Sequence, residues 1–156
     1  MSDMSFTVDR KNLTVKTERV FKASPERLFQ AYVDPEQIPK WWGPGYLKTV
    51  VDKLEPRVGG NWRFIQTEPS GKEHAFSGVF KEVDEPHKLV STFEYEPMAG
   101  HVLVQTVTFE PQSKDTTKLV TTAVYSEIGD LEGMIAMAME DGERESRERL
   151  AVLVEA

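Results

Sequence analysis

Cysteine is absent from the 156 residues, which excludes disulfides, thiolate metal ligands and a cysteine nucleophile together. Positive charge is in short supply: 19 Lys and Arg stand against 26 Asp and Glu, a formal net charge of −7. No run of basic residues interleaved with aromatics offsets this locally, so nucleic acid is not an expected partner. Long apolar runs are missing, which argues against a membrane-spanning helix, and the N-terminal MSDMSFTVDRKNLTV has no basic region followed by an apolar stretch. The expectation is a cytoplasmic protein with no integral membrane contact, in which the sequon Asn12-Leu13-Thr14 is a chance occurrence. The three histidines, His74, His87 and His101, show no metal-ligand spacing, and neither a metal nor another cofactor is expected. A phosphate loop, a dinucleotide fingerprint and a Gly-x-Ser-x-Gly elbow are all lacking. No catalytic residue is therefore assigned, and the chain reads more readily as a binding protein than as an enzyme.

What is present is the material of one folded unit. Hydrophobic residues make up 39% and charged residues 29% of the chain, a balance that suits a globular domain rather than a disordered segment. A single domain over residues 1–156 is predicted, with residues 1–12 a partly flexible N-terminal extension. Leu13 to Phe21 reads as a first strand. Ser24-Pro25 is a helix start, with a capping hydroxyl before a proline of helical φ, and Leu28, Phe29, Tyr32 and Val33 fall on one side of the helix that follows. Asp34-Pro35-Glu36 repeats the signal, but Pro39 limits the second helix to a turn. Further strands are predicted at Leu47–Leu54, Asn61–Thr67, Glu73–Val83, Leu89–Tyr95, Val102–Glu110 and Lys118–Ser126, separated by hairpin-length turns.

After Gly129-Asp130 the apolar spacing changes to three and four, through Leu131, Met134, Ile135, Ala138, Met139, Gly142, Leu150, Leu153 and Val154. One long C-terminal helix is expected, with Glu140, Asp141, Glu143 and the Arg-Glu runs that follow as its solvated face. Helices grouped at the two ends of an antiparallel strand run make the fold class α+β, with about six or seven strands and the terminal helix covering one sheet face.

A curved sheet under a helix can enclose a cavity where the interface residues fill space poorly. Met134, Ala138, Met139 and Gly142 are such residues, since methionine adapts to irregular partners and glycine inside a helix is unfavourable without a packing reason. The alternative is an ordinary core in which Gly142 lets the helix pass over Trp62. Gly78 marks either a bulge or a close contact. Glu94, Arg63 and His74 could face a cavity and act on a polar group of a ligand, but the expectation is that they face solvent, Arg63 being opposite in phase to Trp62 and Phe64. The stretch PEQIPKWWGPGY, residues 35–46, places Trp41 and Trp42 side by side. Neighbours in a helix or an extended chain point in different directions, so one indole is expected to anchor the short helix beside Ile38 and the other to lie at a rim.

Several stretches together resemble a known family: Ser24-Pro25-Glu26-Arg27-Leu28-Phe29-Gln30-Ala31, Trp41-Trp42-Gly43-Pro44, Val58-Gly59-Gly60-Asn61-Trp62-Arg63-Phe64, and Phe76 to Val83 with Pro86 and Leu89-Val90. With Glu132-Gly133-Met134 near the end, the order and spacing are similar to those of the START-like (SRPBCC) superfamily. More narrowly they resemble homologues of the C-terminal domain of the activator of heat-shock protein 90 ATPase, over about Leu13 to Val154. The resemblance implies a helix-grip fold, a bent antiparallel sheet wrapped around a long C-terminal helix with an apolar cavity between them. It also implies relatives that bind lipids, sterols, polyketides or other apolar molecules, as carriers or as enzymes. In the eukaryotic activator a separate N-terminal domain makes the main chaperone contact; with about a dozen residues before the first expected strand, no such domain is expected here.

The expected function is binding of a small apolar or amphipathic molecule between the C-terminal helix and the sheet. The alternatives are a chaperone-associated co-factor acting by protein contact and an enzyme, such as a cyclase or hydrolase, on a hydrophobic molecule. Candidate lining residues are Tyr32, Trp41 and Trp42 from the inserted helical segment, and Trp62, Phe64, Phe76, Phe80, Phe93 and Tyr95 from the strands. The terminal helix adds Met134, Ala138, Met139 and Gly142. The expected partner is a small hydrophobic molecule or, in the alternative reading, a chaperone, the chain itself being a monomer or a homodimer.

Overall fold

Period-two alternation of large and polar side chains produces eight strands: β1 (Ser5–Asp9), β2 (Thr14–Phe21), β3 (Lys48–Leu54), β4 (Asn61–Thr67), β5 (Glu73–Asp84), β6 (Lys88–Tyr95), β7 (Leu103–Ser113) and β8 (Thr116–Val124). The computed structural model describes residues 4–137 and 139–156. All neighbouring strands are antiparallel, in the order β1-β2-β8-β7-β6-β5-β4-β3. Among the described residues four α-helices, α1 (Pro25–Val33), α2 (Ile38–Trp41), α3 (Ile128–Ala136) and α4 (Met139–Val154), and a 3-10 turn at Glu96–Met98 complete the fold. This is the α+β helix-grip arrangement, with one strand more than expected. The extra one is β1, inside the segment expected to be a flexible extension. It pairs along β2, Phe6 against Thr17 and Val8 against Val15, and both apolar residues pack on the cluster around Val15 and Leu131.

Local chemistry explains the helical insertion between β2 and β3. The Ser24 hydroxyl accepts from Arg27 N at 3.1 Å and Pro25 occupies the first turn of α1. Leu28, Phe29 and Ala31 are its buried face, with Phe29 edge-on to Phe109 of β7 at 5.3 Å. Ile38 and Trp41 of α2 are buried while Trp42 leaves the helix in an extended conformation, so the two indoles separate as expected.

The C-terminal segment is two helices, not one. Leu131 of α3 is fully buried in a cluster with Val15, Leu103, Ala123 and Tyr125, whereas Leu150, Ala151 and Val154 of α4 belong to the larger core around Phe21, Leu28 and Phe109. α3 closes at Met137, whose N–H donates to Gly133 O and Met134 O in place of continuing the helix. Gly142 has no close neighbour: an added Cβ would meet nothing within 4 Å, so it does not accommodate Trp62. Gly78 of β5 does. A Cβ there would stand 1.9 Å from Thr92 O and 2.5 Å from Trp62 Nε1, and the register shift of β5 against β6 falls beyond it, between Phe80 and Glu82. Among the described residues no helix is long and apolar enough to cross a membrane.

Candidate functional site: a cavity between α4 and the sheet

Cross-strand register places Val15, Ala123 and Gln105 in one row across β2, β8 and β7, and Thr17, Thr121 and Val107 in the next. These rows face α4, because residues two apart on a strand share a face. Between them and the helices lies a cavity of about 270 Å³. Tyr32 of α1, Trp41, Trp42, Phe76 and Phe93 form one wall, and Met134, Met139 and Gly142 another; Glu143, Ser146 and Arg147 of α4 complete the lining. A smaller compartment of about 70 Å³ adjoins it, sharing Tyr32, Trp41, Trp42 and Phe93 and bounded further by Trp62, Phe64 and Phe80.

The candidate residues thus divide. Tyr32, Trp41, Trp42, Phe76, Phe93, Met134, Met139 and Gly142 stand at the larger cavity, and Trp62, Phe64 and Phe80 at the smaller. Tyr95 lines neither. It lies two residues beyond Phe93 on the same strand face, where its hydroxyl is 2.7 Å from His74 Nδ1 and its ring stacks on the imidazole. Ala138 lies outside the described residues. Half-buried Trp42 is the centre of the aromatic wall, edge-on to Phe64 at 5.0 Å, Phe76 at 5.4 Å and Trp62 at 6.4 Å.

The loop after α2 is tied to α4 by Arg149, which donates from Nη1 to Gly43 O at 2.7 Å and from Nη2 to Pro39 O at 3.2 Å. Glu145 adds a second tie, accepting from Gly45 N at 2.6 Å. Gly43 is required at this point, with φ of +77° and only 2.0 Å between a notional Cβ and Gln66 Nε2.

Polar groups inside the cavity were not foreseen. Glu143 and Arg147, assigned from their charge to the solvated face of the terminal helix, both reach the lining, and Arg147 is only 6% exposed. Its Nη2 donates to Thr121 Oγ1 at 3.1 Å and lies 3.1 Å from Glu143 Oε2, one helical turn earlier. Burial opposes the charge on Arg147 while the Glu143 carboxylate supports it. The Ser146 hydroxyl donates to Trp41 O at 3.0 Å. Tyr32 Oη and Thr17 Oγ1 are buried without a hydrogen-bond partner. Thr121 is near enough to affect the acidity of Tyr32, yet burial dominates and pushes the phenol above its ordinary value. The one available sequence signal was the position of Ser146-Arg147 on the apolar stripe, three and four residues before Leu150.

The other polar candidates have structural partners. Arg63 forks onto Glu96 at 2.8 and 2.9 Å and reaches Asp52 at 3.3 Å, and Glu94 accepts from Gly100 N at 2.7 Å. His74 bridges Tyr95 and Glu68. Among the described residues, His101, Glu127 and Asp130 bring their ligand atoms within 4.8 Å of one another. They stand largely exposed at the start of α3, with His101 Nδ1 2.7 Å from Asp130.

The profile of the family described as Activator of Hsp90 ATPase homolog 1-like protein matches residues 22–155. No curated protein matches the chain. Among solved structures, a protein from Arthrobacter aurescens is similar at 25% identity and a TM-score of 0.88, the match covering 97% of this chain and 91% of that one. Protein Ms6760 from Mycobacterium smegmatis is similar at 25% identity and a TM-score of 0.85, covering 97% and 96%. An HSP90 activator from Plasmodium falciparum shares the fold at 24% identity and a TM-score of 0.56, covering 72% of each chain.

Proposed function

The chain belongs to the family of Activator of Hsp90 ATPase homolog 1-like proteins, and on that premise we propose that it is a binding domain for a small apolar or amphipathic molecule held between α4 and the sheet. The observation that carries this reading is the cavity of about 270 Å³ walled by Trp42, Phe76, Phe93, Met134 and Met139. Its volume, equal to that of on the order of nine liquid waters, suits a compact ligand rather than a diacyl lipid. Apolar walls with a few convergent polar groups are the usual make-up of a small-molecule site. Cytoplasmic residence, one domain spanning the chain, and a monomeric or homodimeric state are parts of the same proposal. Native mass spectrometry of freshly purified protein, followed by titration with an apolar dye and competition by small aromatic compounds, tests it. Failure of every such compound to bind would remove the reading.

A second reading is contact with a chaperone of the heat-shock protein 90 class. It is supported by the family and by exposed apolar side chains at the two ends of α3, Ile128 at 47% and Met137 at 78%. Co-purification with the chaperone of the same cell and a measured change in its ATPase rate are the expected results. No complex and an unaltered rate would dismiss this role while leaving ligand binding intact.

A further inference from the structure

Three polar groups of the cavity gather around Thr121. Thr17 is its direct cross-strand partner, Arg147 donates to its hydroxyl, and Tyr32 lines the same cavity. Two of these groups lack partners. Thr17 is only 4% exposed, and its Oγ1 and the Tyr32 Oη make no hydrogen bond. Buried hydroxyls without partners are unusual because each forfeits its hydration with nothing in return. Arg147 is also under-used. Both its contacts, to Thr121 and to Glu143, engage Nη2, while a guanidinium carries five N–H donors.

This set selects against a cation and in favour of an oxygen acceptor: a buried guanidinium with donors to spare, and two hydroxyls able to donate. We propose that the ligand is a compact aromatic or alicyclic carboxylate whose carboxyl group is received by Arg147, Thr17 and Tyr32 on the β2–β8 side of the cavity. The proposal rests on the binding reading above and names the ligand class. The Glu143 carboxylate, 31% exposed, lies 3.1 Å from Arg147 and pairs with the guanidinium that would receive the ligand anion. Binding therefore includes competition with Glu143, which can turn outward to water. The ring system of the ligand lies against Trp42, Phe76 and Phe93.

Calorimetric titration of the full chain with 2-naphthoate and with 2-naphthalenemethanol, a neutral molecule of nearly the same shape, tests this. The acid should bind at least about tenfold more tightly than the alcohol, the scale of one charge-assisted contact. Arg147→Met should abolish that preference, weakening the acid far more than the alcohol, and Glu143→Gln should strengthen binding of the acid. If Arg147→Met fails to fold, the double variant Thr17→Val with Tyr32→Phe keeps the charge and should weaken the acid severalfold. Equal affinity of the native chain for acid and alcohol overturns the carboxylate assignment while sustaining the cavity as a binding site. Failure of both probes to bind overturns the inference together with the binding reading.

Discussion

Trp41 donates its indole N–H to the carbonyl oxygen of Ala31 at 2.9 Å. In a continuing helix that carbonyl would accept from the residue four positions later, but position 35 is proline and has no N–H. A side chain ten residues away thus fills a vacancy that proline creates at the end of α1, and fixes α2 against it. Trp42 then turns the other way into the aromatic wall.

The two tryptophans are accordingly expected to separate stability from binding. Trp41→Phe removes the donor to a buried carbonyl and should cost about 1–3 kcal/mol, read as a lower urea midpoint at unchanged slope. Trp42→Phe should cost less and remove most of the fluorescence response to an apolar ligand. Equal midpoints for the two variants would contradict this division.

Glycine substitutions at two sites should have opposite signs. Gly78→Ala forces a methyl into Thr92 O and Trp62 Nε1 and should destabilise by about 1–3 kcal/mol or more. Gly142→Ala adds a methyl that meets nothing within 4 Å and should stabilise α4 by up to about 1 kcal/mol. Thermal melting of both variants beside the native chain checks the signs.

Arg149→Met should loosen the Trp42–Gly45 loop by removing its donors to Gly43 O and Pro39 O. The expected stability loss is about 1 kcal/mol, with faster amide exchange confined to that loop and a faster ligand off-rate. Exchange unchanged at residues 42–46 would show that the loop is held without Arg149, by Glu145 on Gly45 N and Thr49 on Trp42 O.

At alkaline pH two of the four tyrosines should ionise late. Burial pushes Tyr125 up to about 12 and moves Tyr32 in the same direction. A phenol raised in the folded state binds its proton more tightly there than in the unfolded chain. Its stabilisation is therefore complete below the ordinary value of 10.0 and is lost as pH rises from there toward 12. Spectrophotometric titration should show the late component shrinking in Tyr125→Phe.

Much of the fold was legible because its signals are local. Ser24-Pro25 capped α1, Trp42 and Gly43 ended the single turn of α2 that Pro39 enters, and the alternation of Trp62, Phe64 and Gln66 placed all three on the buried face of β4. The strand β1 was missed because five residues of mixed character carry little periodic signal until β2 offers them an edge. The break between α3 and α4 was missed because Met134, Ile135 and Met139 continue a helical stripe across it, all three packing on the cluster around Leu131.

The candidate site was less legible than the fold for a related reason. Aromatic and methionine positions toward the cavity follow from periodicity, and Tyr95 was misplaced only because its strand runs past the cavity to His74. The charged residues of the site followed no such rule. Sequence by itself determined the α+β class, the antiparallel order of elements, the caps and turns, and the separation of Trp41 from Trp42, since these depend on backbone preference and side-chain direction over a few residues. Only the tertiary structure decided that Arg147 and Glu143 leave the solvated face for the cavity, and that the Thr17 and Tyr32 hydroxyls are buried beside them without hydrogen-bond partners. Whether a charge is buried depends on the groups that come to meet it, and for Arg147 the decisive neighbour, Thr121, lies 26 residues away in the chain.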